Sequence, residues 1–140
     1  KGIDYSDIID NTFYKKTYVQ NQILGRALLE SVLFYDGKCI FTTVTIDEME
    51  FYGVTGRELG GIVEQLRLTD GVEVAIFLYQ TGEEEYKVSL RSKKKIDVAA
   101  IATQFGGGGH VRAAGYTAKG SVYQIINSIG ELIEKQYNAM

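Results

Sequence analysis

This chain has no proline, one cysteine and one histidine in 140 residues, and two of these shortages exclude whole classes of chemistry. Cys39 stands alone in an apolar run, so no internal disulfide can form. A buried thiol in a reducing, cytoplasmic setting is the expectation. With one histidine, His110, and no Asp-rich motif, the chain cannot assemble the two-metal centre of a metallophosphoesterase. No serine or cysteine has a neighbourhood that would activate it as a nucleophile. No apolar run is long enough to span a bilayer, and no signal peptide is visible, so no membrane partner is expected. A net basic charge is also lacking. The formal net charge is −3, which argues against a general duplex-binding surface but leaves room for a small basic pocket. Nothing in the sequence explains the absent proline.

Glycine, by contrast, is plentiful and in one place consecutive. Phe105 is followed by Gly106, Gly107, Gly108 and Gly109, then by His110, Val111 and Arg112, then by Ala113-Ala114-Gly115. Glycine loses the most conformational freedom on folding, so four in a row need a reason. One reading is a helix stop followed by a loop. Four glycines joined directly to the only histidine and an arginine favour a binding loop, whose bare amides can cradle an anion. Neither phosphate-loop fingerprint is present, and the run follows a helix, not a strand.

The remaining pattern predicts an α+β (mixed α/β) fold with a mixed sheet of four to five strands and helices packed on it. Residues 1–16 read as a lead-in; Asp4, Asp7 and Asp10 would share a solvated helix face. Residues 17–140 read as one domain. A helix is expected over 17–34, with Val19, Ile23, Leu24, Ala27, Leu28 and Val32 as its buried stripe. Asp36-Gly37 is a turn and 38–46 a strand. A short helical turn spans 47–52. Thr55 and Glu58 suggest a capping box before a helix burying Leu59, Ile62, Val63 and Leu66. Gly60 and Gly61 within it imply that another backbone or a ligand comes close. Val72–Tyr79 and Tyr86–Arg91 make a hairpin about Thr81–Glu84. Asp97 caps a helix that delivers the chain into the glycine run. Tyr116–Lys119 is a last strand, and Ser121 and Gln124 cap a final helix.

Arg91 and Ser92 end the hairpin, and Lys93–Lys95 follow as a basic loop. Only a short helix separates them from the glycine run, so both can border one cleft. Arg91 can grip a phosphate through two parallel hydrogen bonds, with a surface ion pair as the alternative. The candidate binding residues are therefore Arg91, Ser92, Gly107, Gly108, Gly109, His110 and Arg112. No catalytic residue and no metal ligand is expected in this chain.

The segments Val88-Ser89-Leu90-Arg91-Ser92, Ile96–Ala102, Phe105–His110 and Ala113-Ala114-Gly115, with Gly61–Arg67 and Gly71–Ala75, resemble the C-terminal DHH-associated domain of the DHH phosphoesterases. The oligoribonuclease and 3′-phosphoadenosine-5′-phosphate (pAp) phosphatase subgroup is the most similar. The resemblance runs from about residue 17 to 120. It implies a hydrolase in which an N-terminal DHH domain of the same parent chain carries manganese and breaks the bond. The domain read here would hold the terminal nucleotide of a short RNA or of pAp. By position, Arg91 and Ser92 would meet phosphate or sugar, Gly107 to His110 would line the pocket, and His110 would lie nearest the scissile phosphate. One departure is Glu64, where many relatives carry Asn. Two other functions fit such a domain: a general single-stranded nucleic-acid-binding module, and a cyclic-dinucleotide-binding domain. A homodimer is compatible with either. The start at Lys1, without Met, suggests a piece of a longer chain.

Overall fold

The computed structural model describes residues 16–140; the expected lead-in with Asp4, Asp7 and Asp10 lies outside the described residues apart from Lys16. The elements run α1 (Tyr18–Leu29), β1 (Val32–Phe34), β2 (Cys39–Val44), α2 (Ile46–Tyr52), a 3-10 turn (Gly56–Leu59) and α3 (Gly61–Arg67). They continue with β3 (Val74–Gly82), β4 (Glu85–Ser92), α4 (Val98–Gln104), β5 (Gly108–His110), β6 (Ala113–Lys119) and α5 (Val122–Asn138). One six-stranded sheet takes the order β1-β2-β3-β4-β6-β5. Only the β2–β3 pair is parallel; the others are antiparallel. The α2–α3 segment is the crossover that this parallel pair requires.

Side chains alternate between the two faces of each strand, and each face has its own core. On the back face, Cys39, Val74, Ile76, Leu78, Val88, Leu90, Ala114 and Tyr116 pack against α4 and α5. The α5 residues Ile125, Ile126, Ile129 and Ile133 recur at helical spacing and form its buried stripe. On the front face, Ile40, Val44, Ala75 and Phe77 pack with Ile23, Ala27, Ile62, Val63 and Leu66 of α1 and α3. The Thr42 hydroxyl, on the same face, donates to the Ala27 carbonyl at 2.7 Å and ties α1 to the sheet.

The fold class is as expected, with six strands where four or five were expected. Both additional strands are three residues long and lie at the sheet edges. The helix expected over 17–34 stops at Leu29, and the Ser31 hydroxyl donates to the Leu28 carbonyl at 2.7 Å just beyond it. Val32, Leu33 and Phe34 pair with β2 through a tight turn in which Tyr35, Asp36 and Gly37 all have positive φ. A hydrophobic stripe that continued in register with the helix concealed this change. The expected glycine loop is in part strand β5, held against β6. Among the described residues no backbone comes close to Gly60 or Gly61. Gly60 has open space, and Gly61 faces only the flexible end of Lys16. It is Gly56 that has no room for a side chain, because the Tyr79 ring lies 2.6 Å from where a Cβ would be.

Candidate functional site

The four glycines of the run have different environments. Gly106 has φ 87° and closes α4: its amide donates to the Thr103 carbonyl at 3.2 Å, and that of Gly107 to the Ala102 carbonyl at 2.9 Å. This paired bonding at a left-handed residue is a Schellman stop. The helix-stop reading therefore describes the first glycine, and two amides expected in an anion cradle serve the helix instead. A Cβ on Gly107 would fall 2.1 Å from the Gly115 carbonyl oxygen and 2.5 Å from Tyr116 Cβ. One on Gly109 would fall 2.6 Å from Ala114 Cα, and Gly109 has φ 146°. Both positions need glycine so that β5 can lie on β6. Gly108 differs. Its φ is unexceptional, and a Cβ there would meet nothing within 4 Å.

The front helical layer ends over β4. Beyond it no described helix covers that face of the sheet, and the strand register shows which residues share it. Arg91 pairs with Ala113, which pairs on its other side with His110. Two residues along, Ser89 pairs with Gly115, which pairs with Gly108. Two further along, Lys87 pairs with Thr117. Residues opposed in this way project from one face. The result is a shelf with a floor of Ser89, Ala113, Gly115 and Gly108, bordered by Arg91, Lys87 and His110. The His110 side chain is exposed and forms no hydrogen bond among the described residues.

A family model for the DHHA1 domain matches residues 36–136 of the chain. The chain belongs to the DHHA1 domain family. Among curated proteins it is 47% identical, over 55 residues, to the bifunctional oligoribonuclease and PAP phosphatase NrnA of Thermus thermophilus; the match spans 39% of this chain and 17% of that protein. Among solved structures, an exopolyphosphatase-related protein from Bacteroides fragilis superposes with a TM-score of 0.84 at 25% identity, covering 96% of this chain and 40% of the other. The pGpG-specific phosphodiesterase PggH of Vibrio cholerae superposes with a TM-score of 0.55 at 10% identity, over 86% of this chain and 39% of its own, and shares the fold. The DHHA1 chain thus spans less than half the length of these three proteins.

Arg91 of this DHHA1 domain lies at the α3 edge of the shelf. Its Nε donates to Glu64 Oε2 at 2.7 Å and its Nη1 to the Leu90 carbonyl at 3.0 Å. Glu64 Oε1 also accepts from Arg67 Nε at 3.0 Å. The surface ion pair is therefore formed, with Glu64 as its carboxylate. Partial burial alone would raise the Glu64 pKa, but the hydrogen bonds from Arg91 and Arg67 outweigh it and hold the carboxyl below its ordinary range.

Ser92 and Arg112 lie elsewhere. Ser92 is buried, and its hydroxyl donates to the Ile96 carbonyl at 2.6 Å. Arg112 Nη1 donates to Ser92 Oγ at 3.2 Å and to the Ile96 carbonyl at 2.6 Å, and Nη2 donates to the Lys94 carbonyl. Both side chains bind the 93–96 loop to the β5–β6 turn, so they position the shelf and do not border it. The basic loop is also engaged internally. The amides of Lys94, Lys95 and Ile96 donate to the Glu73 carboxylate at 2.7–3.2 Å, and Lys93 Nζ donates to the Thr69 carbonyl at 3.0 Å.

Sequence reasoning did not single out Lys87, Ser89, Ala113 and Gly115 as parts of the site. The alternation along β4 already placed Lys87 and Ser89 on the face of Arg91. The β6 residues needed the strand pairing. On the back of the sheet, Phe105 stacks on Tyr116 with ring centroids 4.9 Å apart, and burial pushes the Tyr116 phenol pKa up. An apolar groove of about 260 Å³ beside α5 includes Phe34, Cys39 and Ile126 in its lining and none of the predicted site residues. Among the described residues no group of three or more His, Cys, Asp or Glu is placed to hold a metal ion. No described helix is long and apolar enough to cross a membrane. The manganese that the resemblance implies is assigned to the DHH domain, not to these residues, and the described side chains offer no cluster of ligands for it.

Proposed function

We propose that this DHHA1 domain is the substrate-binding part of a manganese-dependent DHH phosphoesterase, and that its open shelf holds the terminal nucleotide of a short oligoribonucleotide, of pAp, or of both. The observation that carries this reading is the row Arg91–Ala113–His110 beside Gly108. Packing and helix capping account for three glycines of the run. Gly108 is left with open space on the shelf face, as a surface that a phosphate or base must touch would require. The local identity to an oligoribonuclease and pAp phosphatase supports the same substrate class.

Each group has a role on this reading. Arg91 gives a charge-assisted hydrogen bond to a phosphate or sugar oxygen. Lys87 adds positive potential, and His110 can donate to an oxygen or stack on a base. Bond cleavage, with its manganese, belongs to a catalytic segment outside this chain.

The test is titration of the chain with pAp and with di- to pentaribonucleotides, followed by amide resonances. Shifts concentrated at Gly107–His110, Ser89 and Arg91, with affinity levelling off after a few nucleotides, are expected. Affinity that rises steadily with length and falls steeply with salt would instead identify a strand-tracking surface. No shift at these residues with any nucleotide would refute the proposal.

A further inference from the structure

We infer that Glu64 is a specificity residue: it favours a terminal ribose with free hydroxyls and disfavours a phosphate at the same place. This inference rests on the reading of the shelf as a nucleotide site. Glu64 Oε2 lies 2.7 Å from Arg91 Nε, so a ligand group that reaches the remaining nitrogen of Arg91 also comes near the carboxylate. Glu64 is held in place by a second guanidinium, Arg67, at 3.0 Å, and stays half-exposed beside the shelf.

The pair is an acceptor next to a donor. An ionised carboxylate has no hydrogen to give, and a phosphate monoester offers mainly acceptor oxygens. The two cannot bond, and their like charges repel. A hydroxyl can donate to Glu64, and a neighbouring hydroxyl can accept from Arg91. The vicinal 2′,3′-diol of a ribonucleotide end supplies both. A neutral amide at position 64 would remove the repulsion and add an N–H donor, so the discrimination depends on the charged carboxylate. Glu64 is a selectivity residue on this view, and it takes no part in bond breaking.

The experiment compares three ligands on the 140-residue chain: adenosine 5′-monophosphate, its 2′-deoxy analogue, and adenosine 3′,5′-bisphosphate. The first and last differ only in the 3′ group. Binding is measured for the unmodified chain, Glu64→Gln and Glu64→Ala, with resonance shifts at Gly107–His110 to locate each ligand. The unmodified chain is expected to favour the monophosphate over the bisphosphate by about tenfold and over the deoxy analogue by about fivefold. In Glu64→Gln the first ratio should fall to within about threefold of unity or invert, chiefly through tighter bisphosphate binding. Glu64→Ala should lose the same preference without gaining a donor, and it keeps the test open if Glu64→Gln folds poorly. If all ligands shift the shelf but the ratios are the same in all three proteins, the inference fails and the nucleotide site stands. If no ligand shifts the shelf, both fail.

Discussion

The Arg112 guanidinium donates to the buried Ser92 hydroxyl at 3.2 Å, and that hydroxyl donates to the Ile96 carbonyl that Arg112 also reaches. Three chain segments meet at this knot: the end of β4, the 93–96 loop and the β5–β6 turn. Removing the hydroxyl leaves a buried carbonyl and a guanidinium short of a partner. Ser92→Ala should therefore destabilise the fold by about 1–3 kcal/mol. A denaturant midpoint that does not move would show that the contact contributes nothing.

The glycine run provides a contrast within four residues. Gly107→Ala and Gly109→Ala each drive a methyl group into β6 backbone, and each should cost about 1–3 kcal/mol or more. Gly108→Ala meets no atom, so stability should stay within about 0.5 kcal/mol of the unmodified chain. The same change should weaken nucleotide binding, because the new methyl stands on the shelf. Thermal unfolding and nucleotide titration on the three variants separate the two effects.

Arg91→Ala removes the guanidinium at the edge of the shelf. Nucleotide affinity should fall by about 1–3 kcal/mol if the contact is charge-assisted. Calorimetric titration with a dinucleotide reads the loss, and an unchanged affinity would exclude Arg91 from the site.

Burial pushes the Cys39 thiol up to about 12, with the nearby Glu73 carboxylate adding to the effect. The unfolded chain therefore gives up its thiol proton first as pH rises past about 8.5, and stability should decline from there towards the folded value. At pH 8 the folded protein should react with a thiol reagent about a thousandfold more slowly than a free cysteine. Reaction at the free-cysteine rate under native conditions would contradict the burial.

Glu64 has the opposite sign. Its folded pKa lies below the ordinary value because Arg91 and Arg67 favour the ionised form over the cost of partial burial. The unfolded chain takes up the proton first as pH falls below about 4.3, and the stabilisation is lost as pH falls through the folded value. Glu64→Gln should flatten the acid limb of a stability–pH curve. An acid limb of unchanged slope would mean that the ion pair has no effect on folding.

Much of this architecture was legible in the sequence because local chemistry agreed with the final arrangement. The β3–β4 hairpin, the Asp97 cap and the Ser121–Gln124 capping box all appear as read. β1 was hidden because Val32 extended the α1 stripe, although the chain had already turned at Glu30 and Ser31. β5 was hidden because glycine has no side chain to show strand alternation. The site was only half legible. Arg91, His110 and Gly108 were singled out by their residue types, but that they share one face with Ala113 and Ser89 follows from the β4–β6–β5 order, which no local pattern encodes. Ser92 and Arg112 were chosen as ligand contacts because they adjoin the shelf residues in sequence. Their directions differ: Ser92 alternates with Arg91 along β4 and points to the opposite face, and Arg112, in the β5–β6 turn, reaches back to the 93–96 loop.

Ala113 between Arg91 and His110 has a mechanical consequence. The two flanking residues stand two inter-strand steps apart, about 10 Å, and main-chain hydrogen bonds, not rotamers, set this gap. A tilt of α1 or α3 over the front face would leave that gauge unaltered. On the proposed reading, a guest's length is gauged by the backbone.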